Sequence, residues 1–257
     1  MILAILQARV SSSRLPCKVL KPILGKPMLF LQVERLMRCR RFDLLVVATS
    51  TDRSDDILAQ QCAERGILVY RGSLTDVLDR FLSAARKYQP DAIVRLTGDC
   101  PLADWEVIDL TISTFLNGGY DYLSNTDPPT YPDGLDVEII SYRALIEAGA
   151  EARLPSEREH VTLFARNHPD RYRIGSVKQQ VDLSSLRWTV DESEDLEFVR
   201  AVYEALYPSK HDFNTSDILA LIERRPELRR INDNIPRDAG LSKSRAADEE
   251  WRRRPRN

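Results

Sequence analysis

Five cations and three serines crowd one stretch near the start of the chain: Arg9, Arg14, Lys18, Lys21 and Lys26, with Ser11, Ser12 and Ser13 between the first two. Guanidinium forks match phosphate oxygens, an ammonium acts as a mobile point charge, and hydroxyls and loop N–H groups add neutral donors. The chemistry on offer is the binding of a multiply charged anion. Charge runs of this kind also occur as plain solvated loops. Two details argue against that here: the stretch follows the apolar run Met1–Ile5 directly, and Leu15-Pro16 stiffens its middle. Neither common phosphate loop is present, since the chain contains no G-x-x-x-x-G-K-[ST] and no G-x-G-x-x-G.

Two aspartates supply the opposite charge. Thr97-Gly98-Asp99-Cys100-Pro101 is a tight polar turn directly after the apolar run Ala92–Leu96, and Asp191 follows Leu186–Val190, which reads as a short strand. Carboxylates facing several cations and a phosphate make a poor anion site unless a divalent cation sits among them, and magnesium takes one or two carboxylates plus phosphate oxygens. Turn capping by Asp99 and helix capping by Asp191 are the competing readings. Glu194, Asp195 and Glu197 are explained as charges complementing a helix N-terminus.

These residues need a frame that brings them to one edge. Apolar runs of strand length (Met1–Ile5, Leu44–Ala48, Ile67–Tyr70, Ala92–Leu96) alternate with helical patterns: after Pro27, after Ser54, and from Ser73 with Val77, Leu78, Phe81, Leu82 and Ala85 on one face until Pro90. Such alternation predicts a largely parallel sheet covered by helices. Ligands of open α/β sheets collect outside the carboxyl ends of the strands, so all five cations are expected to converge there. With 257 residues, 43% hydrophobic and 30% charged, the chain is an ordinary globular protein large enough for a full core. No apolar run approaches the roughly 20 residues of a membrane span, and the first strand is expected to enter the fold without a signal peptide. Cys17, Cys39, Cys62 and Cys100 lack C-x-x-C spacing, which indicates a reduced, cytoplasmic protein. A net charge of −2 argues against general nucleic-acid binding.

Taken together, Gln7-Ala8-Arg9, Ser13-Arg14-Leu15-Pro16-x-Lys18, Gly25-Lys26-Pro27-Met28, Gly98-Asp99-x-Pro101, and Thr189-Val190-Asp191 leading into Glu194-Asp195-Leu196 resemble the cytidylyltransferases that make CMP-activated sugar acids. These are the CMP-KDO synthetases and acylneuraminate cytidylyltransferases, and the pattern is nearest the spore coat polysaccharide SpsF-type subgroup. The resemblance covers roughly residues 1–205. It implies an α/β fold of the nucleotide-sugar-transferase type (GT-A, Rossmann-like), a three-layer sandwich with a mainly parallel sheet and a small dimer-forming insertion. The activity implied is transfer of CMP from CTP to a sugar acid or related small acceptor, with release of pyrophosphate, in cell-surface polysaccharide synthesis.

Residue by residue, the resemblance makes Leu6, Ala8, Arg9 and Ser13 part of the nucleotide pocket, Arg14 and Lys18 triphosphate ligands, and Asp99 and Asp191 the Mg2+ ligands; Arg14, Lys18 and Asp99 carry the catalysis. Arg80 matches a further nucleotide- or sugar-contacting arginine and reads equally as a solvated helix charge. The chain departs from its relatives at Cys17, where they usually carry glycine. If that position takes a positive φ, cysteine costs on the order of 1 kcal/mol. Segment 120–182 is expected to carry the acceptor site and the contact of a homodimer, with strands over 121–124 and 137–141 and candidate substrate contacts at Asp136, Glu138 and His160. Solvated strand charges, and a structural histidine, are the alternatives there. The catalytic domain is placed at 1–235. Residues 236–257, polar and containing Arg252-Arg253-Arg254, read as a disordered tail. A glycosyltransferase of the same fold, or a non-catalytic nucleotide-binding protein, stays open beside the transferase, though no clear Asp-x-Asp metal motif supports the former. The expected partners are CTP and a small anionic sugar-type acceptor, with no nucleic acid and no membrane.

Overall fold

The computed structural model describes residues 1–12, 14–237 and 239–253, with the backbone alone over 239–243. The apolar runs become the middle of a sheet. β1 (Ile2–Gln7) lies between β4 (Leu44–Ser50) and β6 (Ala92–Thr97), parallel to both, and β5 (Leu68–Gly72) adds in parallel beyond β4. β8 (Glu138–Ser141) then pairs antiparallel with β6, β7 (Tyr122–Ser124) antiparallel with β8, and β9 (Ile174–Ser176) parallel with β7. Among the described residues the order is β5-β4-β1-β6-β8-β7-β9, so segment 120–182 adds three strands to the same sheet. A two-residue ladder, β2 (Pro22–Ile23) against β3 (Lys26–Pro27), turns through Leu24 and Gly25, both at positive φ.

Strand residues alternate between two helical layers, which is why the central strands read as largely apolar runs. Ala4, Leu6, Val47, Val94 and Leu96 pack with α1 (Met28–Leu36), α2 (Asp56–Glu64), α4 (Trp105–Gly118), α8 (Ser193–Leu206) and α9 (Thr215–Arg224). Leu3, Ile5, Val46, Ala48 and Ile93 pack with α3 (Val77–Tyr88), α5 (Tyr142–Glu151) and α7 (Leu163–Arg166). The result is the expected three-layer α/β sandwich with a mainly parallel sheet. Short α6 (Pro155–Glu159) sits beside α3 and carries α10 (Ala239–Arg253). Among the described residues no helix is long and apolar enough to cross a membrane.

Three expectations are corrected. Residues 186–190 are not a strand: Asp133 and Arg187 form an isolated bridge, Trp188 N donates to Asp133 O at 2.6 Å, and buried Trp188 packs on the turn at Gly134. A Cβ on Gly134, at φ 108°, would stand 2.5 Å from Thr189 N, so only glycine allows that approach. The polar C-terminal stretch is helical over Ala239–Arg253, because Asp248 and Ser244 find partners on α6; residues 254–257 lie outside the described residues. Helix α3 starts at Val77, with Asp76 accepting from Asp79 N, and Ser73 instead accepts from Asp76 N.

Candidate active site

The carboxyl ends of β1 and β6 meet where Gly98 N donates to Gln7 O at 2.8 Å. A Cβ on Gly98 would lie 2.9 Å from the Ala8 Cβ, so glycine lets the two strand ends touch. Buried Asp55 fixes the departing loop: its carboxylate accepts from Val10 N at 2.7 Å and from Ser50 N at 3.1 Å. The loop then folds back on itself, with Cys17 N donating to Val10 O. Cys17 has φ 57° and ψ 23°, the left-handed conformation that glycine would take without a Cβ penalty. A single 3-10 turn, Lys18–Leu20, follows and aims Lys18 into the site.

Lys18 Nζ is the centre of the arrangement. It donates to Asp99 Oδ2, Asp191 Oδ1 and Val190 O, each at 2.9 Å. Burial by itself would lower the Lys18 pKa, and the Asp99 and Asp191 carboxylates outweigh it, leaving the ammonium more firmly protonated than usual. Burial pushes the Asp99 carboxyl up, but Lys18 and the Thr97 hydroxyl hold it well below the ordinary carboxylate range. Asp191 Oδ1 also meets Arg14 at 2.8 Å, and Arg187 reaches Asp191 Oδ2 at 3.2 Å. Arg187 in turn donates to Asp195 and Asp133. Val190 N donates to Asp99 O at 2.7 Å, so the two aspartate loops are tied directly.

Two cavities share this centre. The larger, about 500 Å³, is lined by Ala8, Arg9, Ser12, Lys18, Gly98, Glu159, Ser244 and Ala247. The smaller, about 260 Å³, is lined by Asp133, Asp136, Glu138, Arg166, Arg187 and Pro236. Arg14, Arg95, Thr97, Asp99, His160 and Asp191 belong to the walls of both. Two compartments joined at a pair of carboxylates and a group of cations can hold two reactants against each other.

Most of the residues singled out from the sequence meet here: Ala8, Arg9, Arg14, Lys18, Asp99, Asp191, Asp136, Glu138 and His160 all line one cavity or both. Some do not. Leu6 is buried inside β1 and lines neither. Arg80 is buried, donates to Ser73 O at 2.7 Å and lines neither, its pKa lowered to about 10 by burial and by the nearby Arg9. Of the five cations expected to converge, Lys21 lines neither cavity and Lys26 turns to Glu34 and the Tyr207 hydroxyl. Ser13 lies outside the described residues. Glu138 is no solvated charge: it is buried, pairs with Arg95, and accepts from the Tyr122 and Thr162 hydroxyls at 2.6 Å each. Burial raises its pKa, and Arg95 and Arg166 more than reverse that, bringing it to about 2.

Sequence reasoning passed over Arg95, Asp133, Arg166, Arg187 and Asp55. An arginine in the middle of the apolar run Ala92–Leu96 was the available signal for Arg95; its partner Glu138 comes opposite only through the β6–β8 register.

Comparison with known proteins places this site in a family. The family model for cytidylyltransferases matches residues 3–230. The chain belongs to the cytidylyltransferase family. The spore coat polysaccharide biosynthesis protein SpsF of Bacillus subtilis is 36% identical over 233 residues, 88% of this chain and 95% of that protein. A 3-deoxy-manno-octulosonate cytidylyltransferase of Anaeromyxobacter dehalogenans is 35% identical over 119 residues, 46% of this chain and 48% of that one. Among solved structures, a cytidylyltransferase from Leptospira borgpetersenii superposes with a TM-score of 0.84 at 32% identity, covering 89% of this chain and 96% of the other. The chain therefore has the Rossmann-like nucleotidyltransferase fold and is an enzyme of the cytidylyltransferase type.

The donor set suits a hard divalent cation. Among the described residues no group of three or more His, Cys, Asp or Glu side chains forms a ready-made metal cage. Asp99 and Asp191 nonetheless converge on one cation, Lys18 Nζ, at hydrogen-bond distance. Two carboxylates completed by phosphate oxygens and water match the habits of Mg2+.

Proposed function

We propose that the protein transfers CMP from CTP to a sugar acid or related small acceptor, releasing pyrophosphate, in the synthesis of a cell-surface polysaccharide. The observation that carries this reading is the pair of cavities meeting at Asp99, Asp191 and Arg14. The 36% identity to SpsF supports the polysaccharide context, and the match to a 3-deoxy-manno-octulosonate cytidylyltransferase supports an acidic sugar as acceptor.

In this reading the larger cavity takes the nucleotide, with Arg9, Arg14 and Lys18 as the cations for its triphosphate. The smaller takes the acceptor, beside Arg95, Arg166 and His160. An acceptor oxygen attacks the α-phosphorus in line, and the bond to pyrophosphate breaks as the new P–O bond forms. Asp99 and Asp191 are the residues that hold Mg2+, which when bound neutralises charge on the phosphate oxygens. Lys18 and Arg14 stabilise the departing pyrophosphate. Such catalysis works by positioning and charge stabilisation and requires no covalent enzyme intermediate.

The test is pyrophosphate release from CTP, UTP, GTP and ATP with Mg2+ and a panel of sugar acids, repeated with Asp99→Ala. CTP is expected to be preferred, and Asp99→Ala to lose at least ~100-fold in rate, the order seen on removing a charge-stabilising group, with the circular dichroism spectrum kept. Full activity in Asp99→Ala, or preference for another nucleotide, overturns the assignment.

A further inference from the structure

Residues past 230 lie outside the segment matched by the cytidylyltransferase model, yet they reach both cavities. Arg237 donates to Tyr131 O at 3.2 Å and to Asp136 Oδ1 at 2.7 Å, and Pro236 lines the smaller cavity. On α10, Ser244 and Ala247 line the larger one.

The hold of α10 on α6 is specific. Ser156 N and Oγ donate to the two oxygens of the buried Asp248 carboxylate at 2.9 and 2.6 Å. The Ser244 hydroxyl donates to Glu159 Oε2 at 2.6 Å, and His160 Nε2 stands 3.0 Å from Ser244 Oγ. A hydroxyl has one proton, and here Glu159 takes it, so His160 is the donor in its own contact, through Nε2–H. Burial, helped by Arg95, lowers the His160 pKa, so the ring is neutral and its lone pair stays on Nδ1. Ser244 thus sets the tautomer and the tilt of a ring that belongs to both cavities.

Helix α10 is rich in charge, with Lys243, Arg245, Asp248, Glu249, Glu250, Arg252 and Arg253 in fifteen residues. A helix of that length is marginal alone, so its order rests on the seat that α6 provides.

We propose that residues 232–237 and α10 form a strap that completes the active site. Pinned by Asp248, α10 walls the nucleotide compartment through Ser244 and Ala247, and Arg237 holds Asp136 on the acceptor side. Asp248 and Ser244 are positioning residues, and nucleotide affinity depends on a segment outside the family-matched fold. This rests on the reading of the larger cavity as a nucleotide site.

The experiment is calorimetric titration of the full chain with CTP and Mg2+, after UTP, GTP and ATP have been tried in the same way so that the tightest binder is used. Asp248→Ala is expected to weaken binding by about 10-fold, as for loss of a charge-assisted tether. Ala247→Trp, which pushes bulk into the cavity without touching the tether, is expected to weaken it by more than ~10-fold, a steric block. Glu249→Ala, exposed on the same helix, should bind as the parent does. Circular dichroism and melting curves check that each variant is folded. Binding within about twofold of the parent in either Asp248→Ala or Ala247→Trp overturns the strap while leaving the nucleotide assignment intact. A parent that binds none of the four nucleotides overturns both.

Discussion

Replacing Lys18 by methionine keeps the apolar stem, one atom shorter, and removes the charge that three acceptors share. Lys18 Nζ holds Asp99, Asp191 and Val190 O at 2.9 Å each. Without it Asp99 loses its partner ammonium, while Asp191 keeps Arg14 and Arg187. Breaking a fully buried pair costs about 3–5 kcal/mol, and an exposed one about 0–1 kcal/mol. The Lys18 side chain is 11% exposed and that of Asp99 26%, so the pair lies between these limits. A loss of about 2 kcal/mol follows, which for a chain of this size lowers Tm by about 4–8 °C. Magnesium gives the decisive contrast. In the parent the ammonium, with Arg14 and Arg187, already balances the two carboxylates, and the free ion should change Tm little. In Lys18→Met a divalent cation has the place to itself, and millimolar MgCl2 should restore most of the lost stability. The assay is differential scanning fluorimetry without nucleotide, with and without MgCl2, at ionic strength matched by NaCl. A variant that melts with the parent, or whose deficit Mg2+ lifts no more than it lifts the parent, would falsify the placing of Mg2+ between these aspartates.

Two further outcomes are expected. Glu138 has its pKa depressed from 4.5 to about 2, so its stabilising contribution is complete above the unfolded value and is lost as pH falls from there through about 2. The shift corresponds to roughly 3 kcal/mol, and urea titrations across that window should show Glu138→Gln losing less stability than the parent; parallel curves would count against the Arg95–Glu138 pair as the source. Cys17→Gly removes a left-handed Cβ penalty of about 1–2 kcal/mol against a glycine entropy cost of about 0.5–1 kcal/mol. It should therefore raise stability by about 0.5–1 kcal/mol, read by chemical denaturation, and a destabilised glycine variant would show that the φ of 57° at Cys17 carries no strain.

The parallel core was legible because β1 and β4 are buried on both faces and read as unbroken apolar runs, and β6 departs from this at Arg95 alone before its polar end. Asp99 was legible for a related reason: polar residues directly after such runs have nowhere to go but the sheet edge, and Lys18 lies in the basic loop that leaves β1 at that same edge. Other features depend on partners distant in sequence. Leu186, Trp188 and Val190 alternate as a strand would and are buried in the core, but their backbone meets only a single bridge, Asp133 to Arg187, instead of a ladder. Nothing local to α10 distinguishes it from a disordered tail, since its order comes from Ser156 and Glu159, more than eighty residues earlier. Lys26 resembles its neighbours in the basic stretch, yet the β2–β3 turn carries it past the site to Glu34.

The buried carboxylate of Asp195 accepts from Asp191 N and Glu192 N at 2.9 and 3.0 Å, as well as from Arg187 and from Asn232 Nδ2. Its effect is on entropy. Fixing a residue's backbone costs about 1–2 kcal/mol wherever in the cycle it occurs. Here folding itself bears that cost for the loop that carries Asp191, so an arriving ligand meets a loop already in its final shape. What remains for binding is to strip water from the carboxylates and part them from Lys18, an exchange of partners with little ordering of the chain.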